Sequence, residues 1–331
     1  MAGDSLGVEI RTPIVIIGVG GAGTKIAEKA RAKLNTNCLL ISNDRNDLRK
    51  EGCEGIFVDV KHLLNPSSNS IRGTVLQTSD YIINKIRESS TVIIIGNLAG
   101  RGGTGIAPLV ARMAKKEGKS VISFVIMPFK FETNKLFNAG VSLRRMRESS
   151  NCLVIIDNDA LLYNNPDLTV EDCYRITNDA LLEVIGSLAS GISIGEETNL
   201  LCTSKDSVKD AESALKDSFK MLYSDINDPD NVRRAMLYVI GGDRVPVGVL
   251  DSLVSSVQNI FGKNGTEVGL SLSPSGSGGV RVLLMASVLE NTIFDSYDPL
   301  NILPRDSVMD WDEIECDPRI ETALSSLPQI D

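Results

Sequence analysis

The groups best placed for chemistry lie in two glycine-rich runs, Gly18-Val19-Gly20-Gly21-Ala22-Gly23 and the stretch from Gly96 to Gly105, GNLAGRGGTG. Each follows a β-branched apolar run and precedes a helix-patterned segment. In that context glycines admit a phosphate close to the backbone, and a helix N-terminus supplies positive partial charge. Gly18, Gly20 and Gly23, with Gly21 and Ala22 between the last two, satisfy a GxGxxG fingerprint, which Asp44, about twenty residues on, completes. An NAD-dependent oxidoreductase is one reading of that pattern. The second run, with Gly100, Arg101, Gly102, Gly103, Thr104 and Gly105, is not required by a dinucleotide fold. Two such loops at the carboxyl ends of neighbouring strands would converge on one polyphosphate, with Thr104 and backbone N–H groups as donors. Arg101 reads equally as a phosphate clamp acting in cis or as an exposed charge.

Other chemistries are poorly supplied. The sole histidine, His62, excludes most metal sites and any Ser/His triad that needs a histidine elsewhere. It reads as a surface residue, or as a nucleotide neighbour. The six cysteines have no CxxC pair and several sit in apolar stretches, which predicts buried structural thiols. A formal net charge of -9 disfavours direct binding to nucleic acid or anionic lipid. No apolar run reaches the roughly eighteen residues of a spanning helix. The start, MAGDSLGVEIRTP, lacks a signal-peptide layout, so a cytoplasmic location is expected.

The elements that must carry these loops are legible as alternation. Apolar runs at 14–18, 38–42, 55–60, 91–96, 120–127 and 152–157 alternate with segments of helical spacing. That is the pattern of an α/β, doubly wound parallel sheet. A nucleotide-binding unit is expected over 1–165 and a long connecting helix over 166–195. A smaller α+β unit follows over 196–290, then an acidic tail over 291–331 whose residues 319–327 have some helical spacing.

The run GRGGTGIAP (100–108) followed by SVISFVIMPFKFE resembles the signature loop and following strand of the tubulin/FtsZ superfamily. VIGVGGAG, Ser42-Asn43-Asp44-Arg45, IIDNDALL and IGGDRVPVGVLDSL resemble further motifs of that superfamily in the same order, over about residues 12 to 290. The resemblance implies a divergent FtsZ-like GTP- or GDP-binding protein, with Mg2+ carried on the nucleotide and no protein metal site. It implies nucleotide contacts from Asn43 and Asp44, from Glu132 at the ribose, from Lys135 one position out of register, and from Asn158. It also implies base contacts from Tyr174 and Asn178, which are four apart and so share one helix face. Tyr174 also reads as ordinary core packing.

The same resemblance exposes departures. The family hydrolyses GTP when one subunit inserts an acidic loop, close to Asn-Leu-Asp-x-x-Asp, into the site of the next. The matching stretch here is Thr198-Asn199-Leu200-Leu201-Cys202-Thr203-Ser204-Lys205-Asp206, with neither aspartate in register. Glu197 and Asp206 are the displaced carboxylates that would have to substitute, and a displacement of about an ångström already costs on the order of a hundredfold. Only one clear helix is read between Asn199 and Ile240, where the family fits two. The expectation is a cytoskeletal or cell-division-related protein that self-assembles or joins an unidentified protein partner. It would hydrolyse GTP slowly or not at all and reach membrane only through an adaptor. An assembly-dependent GTPase using a displaced carboxylate is the alternative.

Overall fold

The structure is a computed structural model and describes residues 7–8, 10–60, 67–205, 210–241, 244–262, 266–274, 279–289 and 292–299. After a two-residue strand, β1 (Gly7–Val8), the six apolar runs become β2 (Ile14–Val19), β3 (Asn37–Ser42), β4 (Glu54–Phe57), β5 (Thr91–Asn97), β6 (Ser120–Met127) and β7 (Cys152–Asp157). These six are parallel, in the order β4-β3-β2-β5-β6-β7. The crossovers carry α1 (Gly20–Leu34), α2 (Ser68–Leu76), α3 (Ser79–Arg87), α4 (Arg101–Lys116) and α5 (Thr133–Ser149). Helices cover both sheet faces, so the central strands are apolar at successive positions. Ile16 and Ile17 are fully buried, as are Ile93, Ile94 and Ile95.

α6 (Asn158–Asn164) leads to the long helix, α7 (Val170–Leu188), which opens on a capping box between Thr169 and Asp172. It occupies the middle of the span expected for it. It packs beside α1, where Lys33 and Glu183 pair at 2.8 Å.

The second half holds β8 (Ile194–Gly195), β9 (Glu197–Thr203), α8 (Ala211–Asp225), β10 (Val232–Ile240), α9 (Val247–Phe261), β11 (Glu267–Ser273) and β12 (Arg281–Val288). β8 pairs with β1. β9 lies parallel to β7, with Asn199 opposite Val154 and Leu200 opposite Ile155, and antiparallel to β12. One sheet of ten strands therefore runs β11-β10-β12-β9-β7-β6-β5-β2-β3-β4.

The sequence reading separates 196–290 as a unit of its own beyond a connecting helix, whereas the four main strands of that half extend the first sheet. The residues of β9 explain the continuity. Thr198, Asn199, Leu200, Leu201, Cys202 and Thr203 are all buried, and the one amide among them is fully engaged: Ser287 Oγ donates to Asn199 Oδ1, and Asn199 Nδ2 donates to Gly195 O. A stretch expected as an exposed loop is an interior strand. Among the described residues no helix is long and apolar enough to cross a membrane.

Candidate functional site

Every segment singled out in the first half of the sequence follows the carboxyl end of a parallel strand. Residues 20–23 follow β2, 43–44 follow β3, 100–105 follow β5, 132–135 follow β6 and Asn158 follows β7. This is the edge of an open α/β sheet where ligands bind.

The two glycine loops meet. Gly20 adopts φ +66, a left-handed conformation that glycine takes without strain, and a Cβ on Gly102 would lie 3.4 Å from Gly20 Cα. A Cβ on Gly103 would lie 2.0 Å from the Asn97 carbonyl oxygen, so only glycine allows α4 to start this close to β5. The first turns of α1 and α4 contain no acidic residue, and neither N-cap residue, Val19 or Gly100, supplies a side-chain cap. Two adjacent helix N-termini thus present uncapped N–H groups to one place, an arrangement suited to anionic oxygens. Asn43 is exposed beside them, its Oδ1 3.9 Å from the same Gly102 Cβ position. Arg101 is exposed at the first position of α4.

Two residues of these loops are engaged locally. The Thr104 hydroxyl turns inward, 3.1 Å from Gly100 O and 2.7 Å from the Ser68 hydroxyl at the start of α2. Asp44 caps the short 3-10 turn Arg45–Leu48 by accepting from Asn46 N at 2.9 Å. Asp47 went unnoticed in the sequence. Its carboxylate accepts from Ser42 Oγ at 2.7 Å and stands 3.2 Å from a Cβ position on Gly21, against the first turn of α1. Nothing in the run SNDRND separates Asp47 from Asp44 as the residue that faces the glycine loop.

At the other end of the edge, Phe129 packs its ring edge against Tyr174 at 5.5 Å and stacks with Phe131 at 5.0 Å. Tyr174 is partly buried. Burial, then the nearby Glu132 carboxylate, raises its phenol above the ordinary range. Glu132 accepts from Phe129 N and pairs with Lys135, so the expected ribose contact and its out-of-register neighbour form one ion pair.

Asn158 meets the helix that carries Asn178: Asn158 Oδ1 accepts from Thr177 Oγ1 at 2.8 Å, and Thr177 precedes Asn178 on α7. Asn158 Nδ2 and Asn178 Oδ1 are buried without a hydrogen-bond partner. An orphaned donor and an orphaned acceptor each cost on the order of 1–3 kcal/mol unless something completes them.

Asn158 is held by its neighbour. Asp157 is 1% exposed and accepts from Asp159 N at 2.9 Å and Ala160 N at 3.2 Å, capping α6. Asp225, the last residue of α8, is 2% exposed and lies near enough to feel the Asp157 charge. Burial raises both acids, Asp157 to about 6 and Asp225 well above the carboxylate range, the second also through the Asp157 charge. Lys130, which pairs with Asp159 at 3.4 Å, moderates both.

The expected catalytic stretch is elsewhere. Its residues 198–203 lie inside β9, and Glu197 begins that strand opposite Cys152. Asp206 and His62 lie outside the described residues.

Comparison with known proteins bears on the same region. Residues 13–165 match the model of the Tubulin/FtsZ family, GTPase domain. The chain is 25% identical over 236 residues to Cell division protein FtsZ 1 of Pyrococcus abyssi, covering 69% of this chain and 62% of that protein. It is 23% identical over 311 residues to Cell division protein FtsZ of Haloferax mediterranei, covering 86% and 82%. The chain therefore spans less than two thirds of the Pyrococcus relative's length. Among solved structures, an empty FtsZ dimer from M. jannaschii superposes with a TM-score of 0.69 at 22% identity, covering 83% of this chain and 88% of that one. A GTPγS-bound CetZ2 protofilament from Haloferax volcanii gives 0.63 at 19%, covering 86% and 96%. These likenesses are of fold.

Proposed function

We propose that the chain, whose residues 13–165 match the model of the Tubulin/FtsZ family, GTPase domain, is an FtsZ-like protein that binds GTP or GDP, assembles with itself or with a protein partner, and turns GTP over slowly or not at all. The observation that carries the binding half is the orphaned amide pair, Asn158 Nδ2 and Asn178 Oδ1. A purine's polar edge supplies an acceptor for the first and a donor for the second, and the family's nucleotide selects guanine. Tyr174 and Phe129 would pack along the base, Glu132 would meet the ribose, and the backbone amides at Gly20–Gly23 and Gly100–Gly105 would surround the phosphates. Mg2+ bound with the nucleotide would neutralise phosphate charge and be held chiefly by phosphate oxygens.

The weak-turnover half is supported by β9. A carboxylate that positions water for a neighbouring subunit must project from the surface, and residues 198–203 are interior. Glu197 and Asp206, which lie outside that stretch, are the displaced candidates. Self-assembly is supported by relatives whose solved structures are a dimer and a protofilament. The role is cytoskeletal or connected with cell division, in the cytoplasm, with membrane reached through an adaptor.

Mass spectrometry of the nucleotide released from purified protein tests binding: GDP or GTP is expected, whereas NAD would return the chain to the dinucleotide reading. Light scattering with GTP and with GDP tests assembly. Phosphate release that rises more than linearly with protein concentration would favour an assembly-dependent GTPase instead.

A further inference from the structure

At the opposite end of the sheet from the glycine loops, two cysteines stand side by side. β3 and β4 pair in parallel with Leu39 opposite Glu54, so Cys38 and Cys53 occupy the next step of the same register. Adjacent strands lie about 4.8 Å apart, inside the Cα separation of roughly 4.4–6.8 Å that a disulfide requires. Both thiols are free. Both line one cavity of about 430 Å³ with Ile14, Asn37, Lys85 and Ser89. Cys38 is 6% exposed and Cys53 is partly exposed, so solvent reaches the pair from the Cys53 side. Cys152, Cys173 and Cys202 are all buried.

We propose that Cys38 and Cys53 form a reversible dithiol–disulfide site that takes a hydroperoxide as oxidant. In the first step the Cys53 sulfur attacks the peroxide O–O bond. An S–O bond forms, the O–O bond breaks, and the leaving oxygen departs as water or alcohol with the thiol proton, giving a sulfenic acid at Cys53. The Cys38 sulfur then attacks the Cys53 sulfur. The S–S bond forms, the S–O bond breaks, and the hydroxyl leaves as water with the Cys38 proton. Two thiols are oxidised by two electrons and one peroxide is reduced. Burial, followed by the neighbouring Cys53, raises the Cys38 thiol, which disfavours it as the first nucleophile and leaves that role to Cys53; Cys38 gives up its proton as it attacks in the second step. The bond would tie β4, the outermost strand, to β3, and enclose the segment that carries Asn43, Asp44 and Asp47. An external thiol reverses it by exchange.

The test uses the full chain, treated with hydrogen peroxide, alkylated, digested with trypsin and mapped without reduction. The expected result is a linked pair of peptides 34–45 and 51–61, lighter by two hydrogens than their sum and separated by dithiothreitol. Hydrogen exchange at amides 54–57 should slow by roughly tenfold on oxidation, as expected for an edge strand tied to its neighbour. Cys38→Ser should leave a sulfenic acid at Cys53 that dimedone captures, and Cys53→Ser should leave Cys38 unmodified. The proposal is overturned if wild-type Cys53 accumulates as the dimedone adduct, if both thiols remain free, or if the link forms only between two chains. The wild-type map decides even where a serine variant fails to fold.

Discussion

Ser287 Oγ donates to Asn199 Oδ1 over 2.6 Å, from directly opposite positions on the antiparallel strands β12 and β9. Asn199 Nδ2 donates to Gly195 O at 2.9 Å, so the whole amide is used up inside the protein. Asparagine at this point of the sequence matches the family pattern for a loop that reaches another subunit. Here the same residue type closes an internal contact between strands 88 positions apart.

Restoring the family's first aspartate should therefore fail to restore turnover. Leu201 takes that position and is 1% exposed, so Leu201→Asp buries an unpaired carboxylate at a cost of about 4 kcal/mol or more. Urea denaturation should show the loss, and phosphate release per folded molecule should not rise. A gain of activity in a stable Leu201→Asp protein would mean that β9 leaves the sheet in solution.

The amide pair gives a second expectation. Asn178→Leu should weaken GDP binding by about tenfold to a hundredfold, the effect of losing one ligand hydrogen bond at a buried acceptor. Tyr174→Phe should bind nearly as wild type, while Tyr174→Ala should lose about 1–3 kcal/mol of stacking. Calorimetric titration with GDP measures both. Equal affinity in Asn178→Leu would remove the guanine reading of this pocket.

A pH dependence follows from the buried acids. The folded values of Asp157 and Asp225 lie above the unfolded value of about 4. Their contribution to stability is present below pH 4 and is lost as pH rises, for Asp157 through about 6. Asp225→Asn removes one of the two protons, so its stability relative to wild type should grow with pH above 4 by up to about 1.4 kcal/mol per unit. Thermal melts of both proteins at pH 5 and pH 8 check this. Parallel melting curves would show that the two carboxyls are not sharing a proton.

Asp47 stands beside uncapped amides that the proposed nucleotide would occupy with further negative charge. Asp47→Asn should tighten GDP binding severalfold in EDTA, about 1 kcal/mol, with a smaller gain when Mg2+ offsets the phosphate charge. Affinity that falls in both conditions would instead make Asp47 an organiser of the loop through Ser42.

The first half of the fold was legible because its strands are continuous apolar runs and its loops carry glycines for a steric reason. Gly103, with no room for a Cβ against Asn97, is read correctly from the sequence as part of a tight strand-to-helix passage. Asn178 and Tyr174 were legible as one helix face. β9 was not, because ETNLLCT mixes polar residues into a short run and its burial depends on Ser287 and Gly195, contacts that no local period encodes. The Asp157–Asp225 contact was hidden for the same reason. Two acids 68 positions apart announce nothing until α8 packs against α6, which Asp157 caps.

One feature of the architecture reaches beyond any single residue. Because β9 is paired with β7 along four registered pairs and with β12 along six, the two halves share one continuous sheet. The molecule is built as a beam. The sheet that positions the glycine loops is thus the same sheet that positions the second half.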